Sequence, residues 1–417
     1  MDIESVCIVG GSGYVGRSVA DHIATGGRRV RVLTRSRPRA MAVAVLPTVE
    51  VMVANPHEPK DLDRAFAGMD AVVNLVGILN ETRRQSFRAC HVELPRKVAM
   101  ASRRAGVSHL LHMSALGADP AGPSAYQRSK GEGEAAVRDA AGEVPVTIFR
   151  PSVIFGEGDR FLNLFAALVR LFPVLPLASA HARFQPIWVE DVARCFAAAL
   201  ADPRTFGQVY ELGGPRTYTL EELVRFVAST LGKRRKVVAL PGPLGTLQAM
   251  VMEHMPGKPM SRDNLASMRV DNVCAGPFPA VFGFEPAAME AIVPEYLRGS
   301  VARSRYSKYR YYAGRGREDL QGWRIGPGRA ARPAGAGPRP RGGGRRSGPD
   351  GASRLQGGRR GFPGVPPSRD ARGIRARPDG TQDRPRIQGI PLPRRARCHA
   401  GRRPQAARPH DQRDGAG

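Results

Sequence analysis

Three side chains in "LLHMSALGADPAGPSAYQRSKGEGEAAV", residues 110–137, are of types that together move protons: Ser114, Tyr126 and Lys130. Ser114 follows an apolar run that reads as a strand. Tyr126 and Lys130 are four residues apart, the spacing that puts two side chains on one face of a helix. A phenol with a pKa of about 10 is a weak acid or base at neutral pH, and a neighbouring ammonium is expected to lower that value by favouring phenolate. In this reading Ser114 hydrogen-bonds a substrate oxygen, Tyr126 exchanges a proton with it, and Lys130 holds a ribose. Such a trio suits hydride transfer at a carbinol or carbonyl. Tyr-x-x-x-Lys is common in helices by chance, however. A strand-end cap at Ser114 and a Tyr–Lys pair kept for binding without turnover fit the spacing as well, and both readings stay open at this level.

A hydride donor needs a site of its own, and "CIVGGSGYVGRSVADHI", residues 7–23, supplies one. An apolar strand leads through Gly10, Gly13 and Gly16 into a helix. Gly10 suits a sharp turn, Gly13 lets backbone N–H groups approach a pyrophosphate, and Gly16 lets the helix lie close. The helix opens at Tyr14 and Val15, whose unpaired N–H groups form its positive end. The next strand, "RVRVL", ends in Thr34-Arg35-Ser36-Arg37. A site for NAD(H) usually places Asp or Glu there for the ribose hydroxyl, whereas a 2′-phosphate calls for a cation. Arg35 occupies that place and Arg17, just after Gly16, is a second guanidinium that could reach the same phosphate. NADP(H) is therefore expected over NAD(H). Asn55, after the third strand, is expected to border the adenine, and Gly77, ending the fourth, to let the backbone pass the ribose.

These positions require an α/β fold. Apolar runs at 4–9, 30–34, 49–53, 71–76, 109–113 and 146–149 alternate with helix-like stretches at 14–25, 60–67, 84–105 and 127–141. Short buried strands between helices predict a doubly wound parallel sheet covered on both faces, with right-handed crossovers. Residues 1–150 are read as the dinucleotide-binding domain. Residues 151–312, where the rhythm changes, are read as a smaller substrate lobe interleaved with it. The apolar stripes of "FLNLFAALVRLFPVL" (161–175) and "LGTLQAMVMEHM" (244–255) are expected to be ordinary core, with a hydrophobic pocket or a membrane contact as the alternative. Asp191 in "WVEDVA" is expected to cap a helix, and the charge run "GKRRKV" (232–237) to be a solvated face.

Residues 313–417 differ in kind. From 314 on they hold 25 Arg, no Lys, 22 Gly and 14 Pro, and they carry +17 of the chain's net charge of +27. Such a segment lacks the apolar surface to offset its ordering entropy and is expected to be disordered. It has no RGG repeat, which argues against nucleic acid as its partner, and its composition suits a GC-rich gene read out of frame or past its stop. Five scattered cysteines without a C-x-x-C pair imply neither a disulfide frame nor structural zinc. No metal is expected. With no leader and no apolar run of membrane-spanning length, the reading is cytoplasmic.

The stretches "IVGGSGYVGRSV", "DAVVNLVGIL", "CHVELPRKVA", "LLHMSALGAD", "YQRSKGEGE", "FRPSVIFGEGD", "FQPIWVEDVA" and "YELGGPRTYTLEELV" together resemble the extended and atypical short-chain dehydrogenase/reductase superfamily. Over residues 1–312 they are most similar to the branch related to the nucleotide-binding accessory subunit of respiratory complex I. The resemblance implies a Rossmann domain holding NADPH, a role in quinone metabolism or in a larger assembly, and peripheral contact with a membrane complex at the inner membrane. It carries Gly10, Gly13 and Gly16 to the pyrophosphate, Arg35 to the 2′-phosphate, and Ser114, Tyr126 and Lys130 to the active site. It also places Pro151 and Ser152 beside the nicotinamide. Asn55 stands where such proteins commonly have Asp, and the tail has no counterpart among them. The expected function is an oxidoreductase acting on a hydrophobic carbonyl or quinone-like molecule, or a cofactor-holding subunit. The alternatives are a nucleotide-sugar epimerase or dehydratase and a non-enzymatic NADPH sensor or assembly factor.

Overall fold

β1 (Ser5–Val9), SVCIV, is buried along its whole length, as befits a strand inside a parallel sheet covered on both faces. The chain then runs through α1 (Tyr14–Thr25), β2 (Arg29–Thr34), α2 (Arg37–Ala40), β3 (Val49–Val53), α3 (Pro59–Phe66) and β4 (Ala71–Asn74). A π-helical turn at Arg88–Glu93 leads into α4 (Leu94–Ala105), followed by β5 (His109–Met113), α5 (Ala125–Ala141) and β6 (Val146–Pro151). The computed structural model describes residues 3–255 and 258–298. Strands and long helices to this point lie where the apolar rhythm put them. The expected end of the ordered fold near Tyr312 and the Arg-rich tail lie outside the described residues.

Beyond β6 come β7 (Ile154–Phe155), α6 (Phe161–Leu171), β8 (Val174–Leu177), β9 (Arg183–Phe184), β10 (Ile187–Trp188), α7 (Val189–Ala199) and β11 (Val209–Leu212). After them lie β12 (Tyr218–Thr219), α8 (Leu220–Thr230), β13 (Lys236–Ala239), α9 (Gly242–Glu253), α10 (Arg262–Ser267) and α11 (Met289–Leu297). The main sheet has the order β11-β6-β5-β4-β1-β2-β3, all parallel. Its seventh strand is β11, which pairs with β6 from Val209↔Ile148 to Leu212↔Pro151. As a half-exposed edge strand it carries no buried run that would mark it in the sequence.

Alternation along β1 sorts the core. Val6 and Ile8 face α1 and α7, packing with Val19, Ile23, Val192 and Phe196. Cys7 and Val9 face the other layer, where Leu62, Phe66, Leu94 and Val98 of α3 and α4 meet Val137 of α5. A third cluster gathers Phe155, Leu162, Phe165, Leu223, Val227 and Val293. Of the stripe 161–175, Leu162, Phe165, Ala166 and Val169 are core, as expected, whereas Leu171, Phe172 and Val174 are exposed. The stripe of α9 is not core: only Gly245 and Ala249 of that helix are buried, while Leu244, Leu247 and Val251 are exposed. The expected cap at Asp191 is also corrected, because α7 has no side-chain cap. Asp191 instead accepts from the Ala287 N–H at 2.7 Å and pairs with Arg194 at 3.4 Å, so it fastens a distant loop rather than its own helix.

Candidate functional site

Parallel strands deliver all their carboxyl ends to one edge, and the strand order reverses between β4 and β2, at β1. That crevice is where a doubly wound sheet holds its ligand. Gly10 leaves β1 with φ +88°, and a Cβ there would meet Val76 Cγ2 at 3.2 Å and the Leu75 carbonyl carbon at 3.3 Å. The turn is therefore pressed against the loop that follows β4. The Gly13 N–H donates to Gly10 O at 2.9 Å, closing the turn from within. A Cβ on Gly16 would strike Gly10 O and the Gly11 backbone, so α1 packs on the turn itself. Val15 is buried in the core, and the Tyr14 phenol is buried against Gly156 with no hydrogen-bond partner for its oxygen. These two residues can serve a phosphate only through their main-chain N–H groups, which belong to the first turn of α1.

The two arginines are tethered to the same edge. Thr34 Oγ1 lies 2.9 Å from Ser12 Oγ and accepts from Ser36 N at 3.2 Å, which pins the end of β2 to the glycine turn. Arg35, exposed between them, donates to the amide oxygen of Gln85 at 3.1 and 3.3 Å when that amide is turned to face it. Arg17 folds back so that its Nε donates to Ser12 O at 3.3 Å. Asn55 builds the turn after β3. Its Oδ1 accepts from His57 N at 3.2 Å, an Asx turn, and its N–H donates to Asp61 Oδ2 at 2.8 Å.

Ser114 sits just past β5, buried, with its Oγ unpartnered. A buried hydroxyl left without a partner costs free energy, on the order of 1–3 kcal/mol, unless something else supplies the bond. Lys130 is buried and donates from Nζ to the carbonyl of Met113, the residue before Ser114, at 3.2 Å; burial pushes its pKa down to about 8. A Cβ on Gly77 would lie 3.3 Å from that Nζ and 3.7 Å from His91 Nε2. Gly77, Lys130, His91 and the end of β5 therefore form one cluster. Tyr126 joins it through its ring, edge-on to His91 at 5.5 Å and to Phe87 at 5.9 Å. Its phenol departs from the expectation: burial pushes the pKa up to about 12, and Lys130, turned to a carbonyl oxygen, does not offset this.

His91 is the functional candidate the sequence reading passed over. Ile78 N–H donates to its Nε2 at 3.0 Å, so the ring proton is on Nδ1, which donates to Ser129 Oγ at 2.9 Å; that hydroxyl donates to Tyr126 O at 2.8 Å. Burial, followed by the charge of Lys130, depresses its pKa to about 2. It is a neutral strut between the loop after β4 and the helix bearing Tyr126. It stands on the π-helical turn, whose only advance sign was a His four residues before Pro95: proline has no N–H to return to the His91 carbonyl. Gly133 of α5 packs on that carbonyl, where any Cβ would collide.

Two residues from far along the chain complete the surroundings. Asp263 of α10 accepts from the N–H groups of Ala125 and Tyr126 at 2.7 and 3.1 Å, adding to the Ser124 cap of α5. Asn272 Oδ1 accepts from Ser152 Oγ at 2.6 Å and from Val153 N at 3.2 Å, while its Nδ2 donates to Leu116 O at 3.4 Å. Ser152 is thus engaged, and Pro151 ends β6 opposite Leu212. The signal for Asp263 was the capping pattern Ser261-x-x-Asn264; Asn272 carried none. Among the described residues no group of three or more His, Cys, Asp and Glu side chains could hold a metal ion.

Residues 6–213 match the NAD dependent epimerase/dehydratase family. The chain is similar to the mitochondrial NADH dehydrogenase [ubiquinone] 1 alpha subcomplex subunit 9 of Mus musculus, at 30% identity over 70% of this chain and 79% of that protein. To the Arabidopsis thaliana protein of the same name it is 32% identical over 60% of its length, spanning 64% of the relative. A ceramide reductase of Caulobacter vibrioides is 34% identical over 57% of this chain and 74% of that one. The fold is shared with a dTDP-glucose 4,6-dehydratase from Streptomyces venezuelae solved with NAD, at TM-score 0.56 and 19% identity over 70% of this chain and 96% of the other.

Proposed function

That the chain belongs to the NAD dependent epimerase/dehydratase family is the premise from which we propose that it binds NADP(H) in preference to NAD(H) and reduces a hydrophobic carbonyl. The residues fit a nicotinamide dinucleotide. The turn at Gly10, Gly13 and Gly16 with the first N–H groups of α1 takes the pyrophosphate, Arg35 and Arg17 the 2′-phosphate, and Gly77 and Lys130 the ribose. When bound, the cofactor supplies hydride. The observation that carries the reading is the buried, unpartnered hydroxyl of Ser114, which follows the Met113 carbonyl that accepts from buried Lys130, with the half-buried Tyr126 one turn before that lysine on α5. Ser114 donates to the substrate carbonyl oxygen. Tyr126, with its pKa raised, is in the protonated form that reduction needs and donates its proton to that oxygen. Lys130, protonated below about pH 8, holds the ribose as a hydrogen-bond donor.

The relatives favour an apolar substrate: one is named for reducing ceramide, others for a subunit of a ubiquinone-linked dehydrogenase. The latter also supports a second reading, in which this chain holds NADPH within a membrane-bound respiratory assembly without turning it over. Calorimetric titration and an NADPH-consumption assay with long-chain ketones and quinones separate the two. Arg35→Ala is expected to weaken NADPH at least about tenfold, the loss of one charged hydrogen-bonding group, and NADH hardly at all. Tyr126→Phe is expected to leave NADPH affinity within a factor of about two and lower turnover at least about 100-fold. Equal loss of both nucleotides would remove the phosphate role. Tight NADPH binding with no turnover on any member of the panel would leave the holding subunit as the function.

A further inference from the structure

We propose that the outer side of α9, with the adjoining β8–β13 ribbon, docks the protein on an anionic phospholipid bilayer. Residues 240–252 contain no charged side chain. In a soluble helix the apolar positions turn inward, and in α9 the small ones do: Gly245 packs on Ala178 and Ala249 is buried. The large ones face outward, with Leu244, Leu247 and Val251 at 51, 55 and 60% exposure along one stripe. Gln248 fixes this orientation, because its side-chain amide accepts from Ala178 N at 3.2 Å and donates to Pro176 O at 2.8 Å. The helix cannot roll its apolar side inward without breaking both bonds.

The ribbon on which α9 rests carries further exposed apolar residues at its other end. Leu171 and Phe172, at the end of α6, are 73 and 50% exposed, and Val174 of β8 follows them. Val174 pairs with Lys236, the last of four consecutive cations, Lys233, Arg234, Arg235 and Lys236. Arg235 is tied back to α6, its Nε donating to Val169 O at 2.7 Å. With Arg225 these cations line a depression at the end of the ribbon where Lys236 pairs with Val174. Exposed leucine, valine and phenylalanine grouped on neighbouring elements mark an interaction surface rather than a solvated one. A run of four consecutive cations leading into the same ribbon selects, among apolar partners, one that presents negative headgroups over hydrocarbon. At 12 residues α9 rises about 18 Å, too short to cross a bilayer of about 30 Å, so it lies in the interface. This inference does not rest on the catalytic reading, since none of these residues belongs to the nucleotide site.

The test uses the full chain and sedimentation with vesicles of phosphatidylglycerol and phosphatidylcholine. The Arg-rich tail attracts anionic surfaces by itself, so variants are compared in about 0.3 M salt, where screening acts within less than about 8 Å. Leu244→Ser/Leu247→Ser/Val251→Ser is expected to lower the vesicle partition coefficient at least tenfold, with the NADPH-induced thermal shift unchanged. Lys233→Glu/Arg234→Glu is expected to remove the preference for phosphatidylglycerol over pure phosphatidylcholine. Independently, Leu247→Trp should gain fluorescence that brominated acyl chains quench beyond the background of the parent chain. A serine triple variant that sediments like the parent, or an unquenched Trp at 247, overturns the proposal. So does a parent that dimerises through this face and a serine variant that does not, because the occupant is then a second copy.

Discussion

At the scale of single residues the site is governed by burial. Lys130 is a buried ammonium that donates to the Met113 carbonyl oxygen, and burial, which outweighs the opposing charge of Glu134, brings its pKa down to about 8. The unfolded chain keeps a normal lysine and binds the proton up to about pH 10.5, so between about pH 8 and 10.5 the unfolded state binds more protons than the native one. Stability therefore rises with pH across that window, and below it the buried charge is a standing cost. Lys130→Met should stabilise the nucleotide-free protein at pH 7 by about 1–3 kcal/mol. The upper figure is the shift converted at 1.36 kcal/mol per unit, and the lower allows for the lost bond to Met113 O. Denaturant melts at pH 7 and near pH 11 check this: the gain should vanish at the higher pH, and a pH-independent difference would mean the charge is not what costs. The same variant should bind NADPH more weakly, since stability and binding pull against each other at this position.

At the scale of elements, α5 carries both Tyr126 and Lys130, and its start is held by a residue more than 130 positions away. Asp263 accepts two of the N–H groups that a helix leaves unpaired at its first turn, and its charge faces the positive helix end. Asp263→Ala should cost about 1–2 kcal/mol in a chemical melt. It should also raise KM for the carbonyl substrate more than it lowers kcat, because Tyr126 lies in the loosened turn. Asp263→Asn, which keeps an acceptor, should recover part of both. Gly133 and Gly77 act at this scale too: one lets α5 touch the π-helical turn, the other keeps a side chain away from Lys130. Their spacing was visible in advance only as "GEGE" and "LVG", patterns without a partner until the helices are packed.

At the scale of the molecule, the main sheet and the later residues among the described ones share a sheet edge and hydrogen bonds, and are expected to unfold together. β11 joins the sheet edge after α6 and α7 have formed part of two different clusters, and Asn272 bonds to loops after both β5 and β6. A nucleotide bound at the glycine turn should therefore raise a single calorimetric transition rather than split it. With free NADPH at about 100 times Kd the added stability is about 2.7 kcal/mol. Two transitions, of which only one moves with NADPH, would show that the later residues unfold separately.

The amino-acid sequence by itself determined the parallel sheet, the glycine turn and the strand-end positions of Ser114 and Arg35, while Gly77, expected to end β4, lies in the loop after Asn74. Each is set by local rules: the period of apolar residues, the conformational freedom of glycine, and the fact that parallel strands all end on one edge. It did not reveal the neutral state of His91, the raised pKa of Tyr126, the turn that Asn55 builds, the reach of Asp263 and Asn272, or the outward face of α9. Those depend on which distant groups share a buried volume and which polar groups find each other there. A stripe of Leu, Val and Met reads the same whether it meets a core or solvent, and only the packed structure, through Gln248 and the small residues opposite, decided which.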